Sequence, residues 1–286
     1  MTERILTKPE IRSAILEARR DGKTVGLVPT MGALHDGHLS LVHAACARTD
    51  FVVVSIFVNP TQFAPDEDFE RYPRDIEADL DLVGADGVEI VFTPSVQCMY
   101  GAGTQVSVAP GPLAARWEGE VRPEHFGGVA TVVAKLFNIV RPDLAFFGEK
   151  DYQQLKVVQT MSRELDMGVG VVGCPIVRDK HGLALSSRNA YLSADERAAA
   201  LSLSESLAAA AALLASGERD GRALEAAMRE TVARVGAGLV TLDYAAVVDA
   251  ETLEPLVVVD GSARALVAGR VGPTRLMDNR ALLAKS

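Results

Sequence analysis

Cationic side chains are in deficit in this sequence: 29 Lys and Arg stand against 38 Asp and Glu, for a formal charge of −9. Such a balance argues against general nucleic-acid binding or an anionic membrane surface, because phosphate backbones are held through clustered Lys and Arg. Any phosphate handled by this chain is handled locally. Cysteine is also scarce. Cys46, Cys98 and Cys174 lie far apart, with no C-x-x-C pair, so a disulfide framework is excluded and the expectation is reduced, buried thiols in a cytoplasmic protein. No run of about 18 uncharged apolar residues suggests a membrane span, and MTERILTKPEIRSAILEARR carries too many charges for a signal-peptide core. There are no internal repeats. What is present is a chain of 286 residues, 48% hydrophobic, enough to bury a real core in one large or two modest domains.

Thr7-Lys8-Pro9-Glu10 reads as a capping box with an early proline, opening a helix striped by Ile11, Ile15 and Leu16. Residues 25–28 read as a buried strand, and apolar residues resume at helical spacing from Leu39. The β-branched run at 51–58 reads as a central strand, followed by a helix at 74–83 and a strand at 88–92. Further strands are expected at 105–109, 144–147 and 169–174. Helices are expected from Val129 to Val140 and up to about residue 165. Alternation of strand and helix with right-handed crossovers gives an α/β fold, a Rossmann-like doubly wound parallel sheet. After residue 176 the pattern changes to helices at 193–215 and 222–235 and strands at 243–248, 263–267 and 274–278. This predicts a domain at 1–176 and a smaller α+β domain at 177–286. Gly22-Lys23-Thr24 is not a P-loop, since Glu17 stands where the earlier glycine belongs and the triplet precedes its strand.

The polar residues collect at expected strand ends. PTMGALHDGH, residues 29–38, joins a strand to a helix, where unpaired N–H groups and the helix dipole favour an anion. His35 and His38 at this spacing can contact phosphate, cap the helix or form part of a zinc site, although zinc would want a third ligand. Lys150, alone, reads as a surface lysine; beside this anion site and next to Asp151 it can reach phosphate oxygens. Ser186, Ser187 and Arg188 suit a polyphosphate or simply cap a helix. Asn59, Gln62 and Gln154 are neutral amides that can bind a polar small molecule or shape turns.

PTMGALHDGH, SIFVNPTQF, RPEHFGGV, FFGEKDYQQ and LALSSRN, in this order over nearly the whole chain, resemble the pantoate–β-alanine ligase family within the HxGH nucleotidylyltransferase superfamily. The resemblance implies that ATP and (R)-pantoate form pantoyl adenylate and pyrophosphate, after which β-alanine gives pantothenate and AMP. It implies catalytic roles for His38, His35, Lys150 and Arg188. It places ATP on Pro29, Thr30, Met31, Gly32, Ala33, Gly37 and the two histidines, and on Gly148, Glu149, Lys150 and Asp151. Val177, Leu185, Ser186, Ser187 and Arg188 complete that set, with Val177 meeting adenine through its backbone. Pantoate would meet Gln62, Gln154 and Asn59, and β-alanine Gln62; Tyr72, Arg122 and His125 are secondary candidates. Mg²⁺ is expected on ATP, held mostly by phosphates and water, and a homodimer without nucleic-acid or membrane partners is implied. The second domain is expected to close over ATP. Two residues depart from the pattern: Leu185 replaces the methionine of a KMSKS-type loop, which here has no lysine, and Thr61 stands where many members carry methionine. The other readings are a nucleotidylyltransferase that stops after nucleotidyl transfer and a nucleotide-binding regulator without catalysis.

Overall fold

The computed structural model describes residues 2–65 and 67–282. The chain runs β1 (Glu3–Ile5), α1 (Lys8–Arg20), β2 (Val25–Thr30), α2 (Asp36–Cys46), β3 (Phe51–Ile56), α3 (Ile76–Gly84), β4 (Ile90–Phe92), α4 (Val96–Tyr100), α5 (Glu118–Val121) and α6 (His125–Val140). It continues through β5 (Leu144–Gly148), α7 (Tyr152–Glu164), β6 (Gly170–Cys174), α8 (Ala194–Ala215), α9 (Gly221–Val235), β7 (Val240–Asp249), β8 (Ala263–Val271) and β9 (Thr274–Leu282). Two compact units result, Met1–Glu149 with Gln153–Pro175, and Lys150–Tyr152 with Ile176–Ser286. The sequence reading gives residues 150–152 to the first domain. They join the second because the Lys150 carbonyl and the Tyr152 hydroxyl are hydrogen-bonded there.

The first unit is built on a parallel sheet in the order β1-β4-β3-β2-β5-β6. Strand order reverses between β2 and β5, the switch point at which such sheets open a crevice beyond their carboxyl ends. Leu41, Val42 and Ala45 of α2 and Val83 of α3 share a core with Val28, Val52 and Val54; α1 and α6 pack together and against β2. Thr7 and Glu10 form the expected capping box of α1.

Three local expectations are corrected, and one unanticipated strand is added. Residues 105–109 form no strand: Val106 is 80% exposed, and the Val108 N–H is satisfied by the Thr131 hydroxyl at 2.9 Å instead of a ladder. Strand β1, three residues long and so too short to show a period, pairs with β4 at the sheet edge. Pro29 and Thr30 lie in β2, not in the turn after it. Only Cys174 is buried; Cys46 is exposed at the end of α2 and Cys98 is intermediate. Both Cys46 and Cys174 have their pKa pushed up, in each case chiefly by desolvation.

In the second unit β7, β8 and β9 form an antiparallel sheet in that order. Helix α8 is long and apolar enough to cross a membrane by composition. Here its Ala199, Leu203, Leu207 and Leu214 share a core with Met228 and Val232 of α9 and with Val247, Ala265 and Val267 of the sheet. The helices thus cover the face bearing the odd-numbered residues 263–267 of β8, and the even-numbered ones point to the other face. The turn between β8 and β9 is Gly272-Pro273, with Gly272 at φ 56°.

Candidate active site

The loop after β2 is shaped by a residue the sequence reading passes over. Gly32 and Ala33 both have positive φ, 84° and 51°, a conformation L-residues occupy only when held. Asp79, on the buried stripe of α3 with Val83, holds it: its carboxylate accepts the Ala33 N–H at 3.0 Å and the Leu34 N–H at 2.8 Å. Desolvation raises the Asp79 pKa, against the two amides that lower it. A Cβ on Gly32 would stand 2.9 Å from the same carboxylate and 3.1 Å from Ile56. An acidic residue at an apolar stripe position was the available signal for Asp79.

His35 is the N-cap of α2, and the two histidines form a reciprocal capping box. The Gly37 N–H donates to His35 Nδ1 at 3.1 Å, and the His35 N–H to His38 Nδ1 at 3.3 Å. Both Nδ1 atoms are acceptors, so in the neutral rings the protons sit on Nε2. Nδ1 of each ring thus builds the loop, and Nε2 carries the proton. Among the described residues no group of three or more His, Cys, Asp and Glu could hold a metal ion.

NPTQF, after β3, is fixed from several sides. Asn59 is buried and spends both amide hydrogens on protein, one on Gln62 Oε1 at 3.1 Å and one on the Gly128 carbonyl at 3.3 Å. Its oxygen accepts from Thr61 and from the Tyr100 hydroxyl at 2.6 Å. The Gln62 carbonyl receives Arg122 Nη2 at 3.3 Å and faces His125 Nδ1 at 2.9 Å. A Cβ on Gly128 would lie 2.2 Å from the Thr61 carbonyl oxygen, so the RPEHFGGV glycine exists to let α6 approach this loop. Arg122 is itself clamped by Glu67 through Nε at 2.5 Å and Nη2 at 2.7 Å. Burial would raise the Glu67 carboxyl, but the arginine holds it below its ordinary value. Burial, reinforced by the Arg122 charge, pushes the His125 pKa down to about 4, so this ring is neutral and donates Nδ1–H to the carbonyl. Tyr72 is buried edge-on against Phe63, ring centroids 6.0 Å apart. Among the described residues the Gln62 Nε2 group contacts a soft acceptor, Met31 Sδ, at 3.0 Å.

The two glutamines of DYQQ divide. Gln153 is buried, accepting the Glu118 N–H and donating to the Leu113 and Arg116 carbonyls. Gln154 is half-buried with no hydrogen-bond partner among the described residues. Gly148 ends β5 and Glu149 follows it in a short 3-10 turn. In the second unit Lys150 Nζ lies 3.4 Å from Asp151, and Leu185 N–H donates to the Val177 carbonyl at 3.0 Å. Ser186 caps the turn Ser187–Tyr191 by accepting the Arg188 N–H.

Residues 3–281 match the family described as Pantoate-beta-alanine ligase. The chain belongs to that family. The pantothenate synthetase of Rubrobacter xylanophilus is 57% identical over 281 residues, covering 96% of each chain, and that of Geobacter sulfurreducens 51% over 265 residues, covering 92% of each. A crystal structure of pantothenate synthetase from Thermus thermophilus superposes with a TM-score of 0.93 at 47% identity over 99% of each chain. A Francisella tularensis ligase, solved in complex with Beta-gamma ATP and β-alanine, gives 0.80 at 30% identity over 98% of each. This chain is accordingly a carbon–nitrogen ligase that joins pantoate to β-alanine, and a transferase that stops after nucleotidyl transfer is not favoured. In this ligase Asp79, Glu67, Tyr100 and Gln153 support the loops named from the sequence, and Asn59, Arg122 and His125 are turned toward Gln62.

Proposed function

We propose that the ligase works through pantoyl adenylate, with its donors divided between phosphate and pantoate. A pantoate carboxylate oxygen attacks the α-phosphorus of ATP, the bond to the β-phosphate oxygen breaks and pyrophosphate leaves. The β-alanine amine then attacks the acyl carbon, the C–O bond to AMP breaks and one proton is released. A carboxylate is a poor electrophile until its oxygen becomes a good leaving group, and its approach to a polyphosphate needs donors around the developing charge.

His35 and His38 supply Nε2–H donors beside the α2 N-terminus, with His38 on the phosphate where negative charge develops. Because their Nδ1 atoms serve the backbone, they act here as neutral donors and not as cations. Lys150 and Arg188 provide the positive charge for the β- and γ-phosphates, and Pro29 to Ala33, Gly148, Glu149, Asp151, Val177 and Leu185 to Ser187 line the remainder of ATP. Gln62 and Gln154 bind pantoate, with Gln62 also near β-alanine; Asn59 contributes by orienting Gln62. Mg²⁺ arriving with ATP would be held mostly by phosphate and water oxygens and would neutralise charge on the pyrophosphate. A cytoplasmic homodimer completes the reading, with sedimentation as its check.

The observation that carries the proposal is the pair of Nδ1-anchored histidines at the head of α2. The test supplies ATP, Mg²⁺, pantoate and β-alanine and follows AMP and pantothenate. Pantoate-dependent pyrophosphate release before β-alanine is added is expected. AMP formation that does not depend on pantoate would sink the proposal.

A further inference from the structure

Arg264 is a buried cation on β8, 7% exposed, on the sheet face opposite α8 and α9. Burying a guanidinium is costly unless its donors and charge are compensated. Its plane lies 3.7 Å from the centroid of the Tyr152 ring, and its Nε donates to Asn279 Oδ1 at 2.8 Å. Arg264 pairs with Ala281 and Leu266 with Asn279, so Arg264 and Asn279 are diagonal neighbours on one face.

This contact settles which way the asparagine amide points. Arginine has no acceptor, so the oxygen of Asn279 must face it and the NH₂ group must face away. That group donates to the backbone carbonyl of Lys150 at 2.8 Å. The Tyr152 hydroxyl meanwhile donates to the Ala250 carbonyl at 2.8 Å. The tripeptide Lys150–Tyr152 is therefore held at both ends by the second unit, at its first carbonyl by Asn279 and at its last side chain by Arg264 and Ala250.

We infer that Asn279 is a positioning residue for Lys150, with the buried Arg264 fixing the orientation of its amide. The inference rests on the reading of Lys150 as a phosphate-binding cation. Lysine has a flexible four-carbon stem, so the placement of its ammonium depends on how firmly its own peptide is anchored, and the Asn279 bond anchors it.

A double-mutant cycle on the full-length ligase tests this, with MgATP affinity by titration calorimetry and pantoate-dependent pyrophosphate release as readouts. Asn279→Asp keeps the volume and the oxygen facing Arg264 but sets a second oxygen against the Lys150 carbonyl. Asn279→Ser removes the amide donor, and with it the amide oxygen facing Arg264, without adding charge, and serves if the aspartate variant fails to fold. Either variant is expected to weaken MgATP binding by roughly tenfold and slow pyrophosphate release by roughly 10–100-fold, with pantoate KM within about twofold and a lower melting temperature from the lost buried bond. In a Lys150→Ala background the same substitution adds no further loss of MgATP affinity, since coupled residues are non-additive. An equal loss in both backgrounds, or none in the parent, overturns the positioning role. Unchanged MgATP affinity and turnover in Lys150→Ala alone would overturn the role of Lys150 itself, and with it the inference.

Discussion

The backbone N–H of His35 donates to Nδ1 of His38 at 3.3 Å, and the two imidazoles lie with centroids 4.1 Å apart. The bond that builds the loop therefore also decides which ring nitrogen carries the proton, placing it on Nε2 of His38.

Replacing His38 by Ala removes that donor together with half of a capping box. Pantoate-dependent pyrophosphate release should fall by about 100-fold or more. The lost cap should cost about 1 kcal/mol, a melting shift of about 2–4 °C. Stopped assays and thermal melts separate the two; a large melting shift with little change in turnover would make His38 a structural residue only.

Asp79 is not itself among the residues named for substrate, yet because it holds the Ala33 amide, Asp79→Ala should impair ATP use. Two backbone N–H groups at a strained turn lose a charged acceptor, and bonds of this kind contribute about 1.5–3 kcal/mol each. A higher ATP KM with a lower melting temperature is expected. An ATP KM equal to that of the parent would show that the turn keeps its shape without the carboxylate.

Gln153 and Gln154 are neighbours with opposite assignments. Gln154→Ala should raise pantoate KM by about tenfold with an unchanged melt, since no protein hydrogen bond among the described residues is lost. Gln153→Ala breaks three bonds to the chain at residues 113–118 and should instead lower the melting temperature by several degrees. An unchanged pantoate KM in the first variant removes Gln154 from the pocket.

The His125 pKa, about 4 against an ordinary 6.5, gives a pH dependence of defined sign. Above 6.5 both the folded and unfolded states carry a neutral ring and stability is at its full value. As pH falls from 6.5 toward 4 the unfolded chain takes up the proton first, so stability declines, with a slope approaching about 1.4 kcal/mol per pH unit for one proton. His125→Gln, which retains a donor for the Gln62 carbonyl, should flatten that part of the curve. Denaturant unfolding between pH 4 and 7 checks it.

How much of this was legible beforehand follows from range. The Thr7 capping box, the β2 and β3 runs and the turn before α2 are local patterns, and they appear where their spacing implies. The supports of the site are not local. Asp79 reaches Ala33 across 46 positions and Arg122 reaches Gln62 across 60. A single sequence does not encode which carboxylate folds under which turn. Asn59, Arg122 and His125 stood out as polar residues in loops, but only the tertiary bonds reveal that they face Gln62. Residues 105–109 misled for the opposite reason, since a brief alternation of apolar residues looks the same with or without a neighbouring strand.

Asp278 and Asn279 are consecutive in β9 and therefore point to opposite faces. The first grips Arg178, next to Val177, through bonds of 2.6 and 2.9 Å; the second grips the Lys150 peptide. One pleat thus acts as a ruler between the backbone at Lys150 and the side chain of Arg178. Its zero mark is the Gly272-Pro273 turn, because a slip of one residue there would exchange the faces of the whole strand. The length of a surface hairpin is in this way a constraint on where the Lys150 peptide can stand.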